Sequence, residues 1–267
     1  MEAARRIEIV RHRTHAALRG LVAGVVGMSE LASAPVRRRQ SAGSLIPLVL
    51  SFGSPLEIEG IAYGSFVAGL STSSTTTRFE NGQDCVQVYL TPLGVSRLLG
   101  VPGREIARRV LVVDDLLPSW GDSIVDQLAS ARSWGERFAL VETLLLESSQ
   151  RTDPAPEWVA GMFGDIAASA GGIRIGDLVS KSGWSHRHVA QTFGEYIGLT
   201  PKQLAGVIRF ERASRDLGRR PLAEIAATHG YADQSHLTRD VIRYAGETPT
   251  QLAAAMRPTA HTALGMS

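Results

Sequence analysis

Cysteine is nearly missing from this 267-residue chain: Cys85 is the only one. A single thiol excludes an intrachain disulfide and a thiolate-based zinc site, and makes a reducing cytoplasm the simplest home. No apolar run reaches the ~18 residues of a membrane span, so no membrane partner is expected. Leu21–Met28 followed by Ala32-Ser33-Ala34 has the outline of a secretory leader. It is short and contains glycine, and Glu2, Glu8 and Glu30 flank it, which argues against that reading. No Gly-x-Ser-x-Gly elbow offers a serine nucleophile. No Gly-x4-Gly-Lys-Ser/Thr loop offers a phosphate cradle. Cys85 lies in a strand-like run without a His and carboxylate beside it. His12 and His15 lack a carboxylate or cysteine neighbour, and His186 and His188 flank an exposed helix start. No catalytic residue, metal site or cofactor is therefore expected.

Strong net charge is also lacking, at +2 overall, but the charge is unevenly spread. Residues 174–267 hold 12 Lys+Arg against 8 Asp+Glu, or +4; by difference residues 1–173 hold 16 against 18, or −2. The basic excess hints at a polyanionic partner for the C-terminal part. The Arg37-Arg38-Arg39 cluster and Arg11–His15 read as solvated surface.

A repeat is present in that basic part. Residues 196–204 read YIGLTPKQL and residues 244–252 read YAGETPTQL, identical at six of nine positions. Upstream, Gly183-Trp184 pairs with Gly230-Tyr231. Such a repeat marks a duplicated supersecondary unit. In the first copy Ile175, Leu178 and Val179 make one helix face, Gly183 a turn, and Ser185 caps a helix His186–Ile197 with Val189 and Phe193 inward. In the second, Leu222, Ile225 and Ala226 precede Gly230, and Asp233 can cap a helix carrying Leu237, Val241 and Ile242. Each copy is a helix-turn-helix by its grammar. Gly-x-Thr-Pro closes both, and a long helix Pro201–Leu217 joins them. His229, at an apolar position, reads as a core histidine.

The rest of the chain reads as α+β. Strand-like runs at 45–52, 56–61, 63–70, 75–79 and 85–90, with turn residues between, suggest a small sandwich or barrel. Thr91-Pro92 starts a helix ending before Gly100, Arg104–Arg109 looks like another, and Asp114-Asp115 are placed to cap the next. Ile124–Leu128 and Glu136–Leu146 are amphipathic. The division is thus residues 1–148 (β-rich 44–90, helical 91–148), a linker 149–156, an all-α unit 157–258 and a tail 259–267.

The run Glu224-Ile225-Ala226 through Gly230-Tyr231-Ala232-Asp233-Gln234-Ser235-His236-Leu237-Thr238-Arg239 to Gly246-Glu247-Thr248-Pro249 resembles the C-terminal domain of AraC/XylS-type transcriptional regulators. Ile208–Ala213 matches that family's linking helix, and Ser185, Phe193 and Gly198–Pro201 its first unit. The resemblance covers about residues 156–257. Asp240 and His229 depart from the pattern, each replacing an apolar residue. Gln87–Gly94 and Leu98–Pro102 are similar, more loosely, to N-terminal regions of such regulators. The resemblance implies a DNA-binding regulator whose two recognition helices enter successive major grooves roughly 34 Å apart. His186, Arg187 and Gln191 would read DNA from the first helix, and Gln234, Ser235, His236, Thr238 and Arg239 from the second. Double-stranded DNA is then the main partner. RNA polymerase, a small-molecule effector and a second copy forming a homodimer are further partners it allows. In the alternative reading the N-terminal domain takes no small molecule and serves protein–protein interaction.

Overall fold

The computed structural model of the chain describes residues 5–118, 120–149 and 154–255. Nine strands come first: β1 (Arg5–His12), β2 (Val22–Ala32), β3 (Val36–Gln40), β4 (Ile46–Ser51), β5 (Leu56–Ile58), β6 (Ile61–Tyr63), β7 (Phe66–Ala68), β8 (Thr75–Phe79) and β9 (Gly82–Leu90). Then follow α1 (Pro92–Leu99), α2 (Gly103–Ile106), β10 (Val110–Val112), α3 (Val113–Leu116), α4 (Gly121–Ser130) and α5 (Trp134–Ser148). The remainder is helical: α6 (Glu157–Ala168), α7 (Ile175–Ser182), α8 (His186–Ile197), α9 (Pro201–Ser214), α10 (Leu222–Thr228), α11 (Gln234–Ala245) and α12 (Pro249–Ala255). The α+β class is as the sequence predicts: a β-rich N-terminal part with trailing helices, then an all-α part.

The strands form two antiparallel sheets, β1-β2-β9-β4-β7-β10 and β3-β8-β5-β6. Alternate residues of the central strands go to opposite sides. Val26, Met28, Cys85 and Tyr89 pack with Ile58 of the smaller sheet, whereas Val25, Val86, Val88 and Leu90 join the core under the helices. Both faces of the larger sheet are therefore covered. Gly27 matters here: the Trp134 ring of α5 occupies the space that a Cβ would take.

That double burial corrects the reading of the N-terminus. Strands begin at Arg5, not near residue 44, and β10 lies beyond residue 90. Leu21–Met28 looked like a leader because a strand buried on both faces loses its polar alternation. The basic clusters are not simply solvated either. Arg38 grips the fully buried Glu30 carboxylate through both oxygens, at 2.5 and 2.7 Å. His12 stacks on Phe138 with ring centroids 4.8 Å apart and lies 3.4 Å from Glu142. Asp114 and Asp115 do not cap a helix; they sit inside the first turn of α3, where negative charge suits the helix dipole. Thr91 caps α1 as expected, its hydroxyl accepting from Gly94 N–H at 3.0 Å.

Burial pushes the Cys85 thiol up to about 12. At pH 8 almost no thiolate forms, so a thiol reagent is expected to leave the native chain unlabelled and to modify it once unfolded. Fast labelling of native protein would show that the sheet pair opens.

Part of the linker (residues 150–153), residues 256–258 and the tail 259–267 lie outside the described residues. Among the described residues no helix is long and apolar enough to cross a membrane.

Candidate nucleic-acid interface

The two copies of the repeat fold alike, and local chemistry explains why. In the first, Gly183 takes φ +74° at the turn, and the Ser185 hydroxyl accepts the His188 N–H at 3.2 Å, starting α8. In the second, Gly230 takes φ +71°, and Asp233 Oδ1 accepts the His236 N–H at 2.7 Å, starting α11. Both helices end on a left-handed glycine, Gly198 and Gly246. Both exits are reciprocal caps. Gln203 N–H donates to the Thr200 hydroxyl and Thr200 N–H to Gln203 Oε1, at 3.3 and 3.0 Å. Gln251 and Thr248 do the same at 3.4 and 2.9 Å. The identical Gly, Thr, Pro and Gln of the repeat are thus a helix stop followed by a capped start.

Beneath this surface Val189, Phe193 and Ile197 of α8 are buried, as are Leu237, Val241 and Tyr244 of α11. Ile242 is exposed: it sits one residue past the buried Val241, on the solvent side of α11. The joining helix α9 stops at Ser214, three residues before the expected Leu217, and 14 residues span ~21 Å. Arg209 of α9 ties the second unit down. Its guanidinium lies 4.9 Å over the Tyr231 ring and 3.8 Å from Asp240. The unusual Asp240 thus has a charged partner. Gly206 makes room for the Tyr244 hydroxyl, and the Phe210 and Tyr244 rings pack at 5.3 Å.

The structure brings the residues singled out by sequence onto the outer faces of α8 and α11. His186, Arg187 and Gln191 are exposed on the first; Gln234, Ser235 and Arg239 are exposed on the second, with His236 and Thr238 half-buried. His236 is held by the turn: its ring meets Tyr231 edge-on at 5.1 Å, and its Nδ1 accepts from Ala232 N–H at 3.4 Å. Arg239 folds back so that its Nε donates to the Ser235 carbonyl at 3.3 Å.

One expectation changes. His229 is not a core histidine; it is half-buried with Nε2 2.9 Å from Asp216, because Asp216 follows α9 and reaches back to α10. The hydrogen bond from His229 holds the Asp216 carboxyl below its usual range. The turn aromatics differ between the two copies. Tyr231 is 5% exposed, but its counterpart Trp184 is 50% exposed and its ring lies tilted against that of His188, centroids 4.4 Å apart. The repeat alignment gave no sign of this, since it pairs the two aromatics as equivalents. Nor did it single out Trp184 as an outer-surface residue beside Arg187.

Residues 178–255 match a family described as a helix-turn-helix domain. The C-terminal part is an AraC-type helix-turn-helix domain. Among solved structures, ToxT from Vibrio cholerae O395 is similar at 8% identity and TM-score 0.47, over 96% of this chain and 99% of that one. Unsaturated fatty acid bound ToxT from Vibrio cholerae strain SCE256 is similar at 9% identity and TM-score 0.47, over 97% and 98%. The AraC-like transcriptional activator CuxR is similar at 9% identity and TM-score 0.31, over 93% and 84%. No curated protein matches the chain in sequence. Among the described residues, no group of three or more His, Cys, Asp or Glu is placed to hold a metal ion near the AraC-type domain or elsewhere.

Proposed function

We propose that the chain binds DNA sequence-specifically by laying α8 and α11 in successive major grooves, under control from residues 1–148, with residues 157–258 as the reading unit. The observation that carries the proposal is a pair of capped recognition helices in register, each with a packed inner face and an exposed polar outer one. Arg187 suits a bidentate contact to guanine, and Gln191 and Gln234 suit adenine. Ser235, His236, Thr238 and His186 add shorter-range polar contacts, and Arg239 serves a base or a phosphate. The N-termini of α8 and α11 present backbone N–H groups to phosphate oxygens.

Control by a small molecule is supported by an open groove of about 630 Å³ between α4 and α5, with Ile124, Leu140 and Leu144 among its walls. Trp120 also lines it, and among the described residues its buried indole N–H has no hydrogen-bond partner. An apolar compound with one acceptor group would suit such a wall. The groove is what favours an effector over a purely protein-binding N-terminal domain.

Selection from a randomised DNA pool with the full chain, followed by mobility shifts on the enriched sequence, tests the central reading. A recurrent site spanning two grooves, resistant to unrelated competitor DNA, is expected. Failure of any sequence to enrich would sink it.

A further inference from the structure

The N-terminal domain touches both helix-turn-helix units, and it touches each at the C-terminal end of its recognition helix. At the first unit, α1 and α2 pack on α8. The backbones meet at two glycines, with a Cβ on Gly198 lying only 2.8 Å from the Gly103 carbonyl oxygen. A Cβ on Gly103 would collide with the carbonyl oxygen of Tyr196. Beside them Arg104 pairs with Glu195 at 2.6 Å. At the second unit, the Arg39 guanidinium of β3 donates to the Gly246 carbonyl, which ends α11, and lies 4.0 Å from Glu247. A cation at that end also suits the helix dipole. Two backbone contacts follow along the chain: Ala42 N–H donates to the Tyr244 carbonyl at 2.8 Å, and Ser44 N–H to Glu211 of α9 at 3.0 Å.

The reading residues cluster toward the opposite, N-terminal ends of α8 and α11. The N-terminal domain therefore meets each recognition helix at the end away from its reading residues. Twelve residues span ~18 Å, so a tilt at that end is carried to the reading end. The apolar core adds to the hold, since Leu98 and Ile106 share one continuous cluster with Phe193 and Ile197.

We propose that the N-terminal domain is a template for DNA recognition: Arg39 and the Gly103–Gly198 contact are positioning residues that fix the separation and twist of the two reading helices. The inference rests on the two-groove reading above and adds to it a source of spacing specificity outside the AraC-type domain. Arg39 and Gly103 face no DNA in this arrangement; they act through α11 and α8.

The test uses the full chain and the site enriched by selection, with one base pair inserted or removed between its two blocks. That change moves one block by ~3.4 Å and turns it by ~35°. Wild-type protein is expected to lose at least about tenfold in affinity for either altered site, since even one mismatched base pair costs about 5- to 150-fold and a shifted block misplaces several. Gly103→Ala wedges the first contact open at a position without positive φ, and Arg39→Ala removes the second. In each variant the loss should fall to within about threefold, with the base preferences inside each block unchanged. Arg39→Lys keeps a cationic donor and should restore the wild-type spacing profile. Thermal melting of each variant identifies one that has simply lost its fold, and the other contact-breaking variant then carries the comparison. Equal penalties in wild type and variants overturn the inference, leaving α9 alone to space the units. A wild type indifferent to spacing overturns it too. A site with one block only overturns the two-groove reading itself, and the template with it.

Discussion

Replacing Arg187 by alanine is expected to weaken binding to the selected site by about 1–3 kcal/mol, or ~5- to 150-fold, and to relax selectivity at one base pair. Arg187 is the second residue of α8, where a recognition helix brings side chains to base edges. It is exposed, and among the described residues no carboxylate pairs with it, so its fork of donors is free to meet guanine O6 and N7. Titrating the variant against the site and its three single-base substitutions at each position checks this. A loss of the same size on every sequence, with a shallower salt dependence, would make Arg187 a phosphate contact instead. The two outcomes differ in kind, because phosphate contacts hold the protein in place while base contacts discriminate.

A larger loss, of stability, is expected from Phe193→Ala. Phe193 has no exposed surface and lies on the inner face of α8, the helix against which α6, α7 and α9 all pack. Removing its ring costs about 3–5 kcal/mol, through lost transfer energy and the cavity left behind. In a domain of marginal stability that is enough to unfold the first unit at physiological temperature. Thermal unfolding of the full chain should show a clear downward shift, with DNA binding lost although Phe193 faces away from the reading surface. Phe193→Leu, closer in volume, should cost less than about 1.5 kcal/mol and keep binding. An unchanged melting temperature in the alanine variant would contradict the packing described for α8.

These predictions draw on the half of the molecule that was legible in advance. The helix-turn-helix units were readable because their signals are short-range. A hydroxyl three residues from its N–H partner, a glycine at positive φ and a proline at the first helical turn act within a single turn of chain. The residues of α8 and α11 expected to read DNA came out exposed or half-buried for the same reason, since a buried stripe such as Val189 and Phe193 leaves its opposite face outward.

The first forty residues were not legible, and burial explains it. β2 is covered by a sheet on one side and helices on the other, so it shows neither the alternation of an ordinary strand nor the period of a helix. The three adjacent arginines are the sharper case. On one short strand Arg37 remains exposed, Arg38 serves a buried carboxylate 8 residues away in sequence, and Arg39 caps a helix 207 residues away.

The amino-acid sequence alone determined that the chain carries two capped helix-turn-helix units joined by a helix, with a β-rich part ahead of them. Only the tertiary structure decided which arginines are spoken for, that Trp184 lies open while Tyr231 is packed, and that the N-terminal part meets both α8 and α11 at their C-terminal ends. Caps and turns are written in neighbouring residues. A guanidinium's partner is set by whatever distant backbone the fold brings beside it, and a repeat cannot announce that its two copies will have different neighbours.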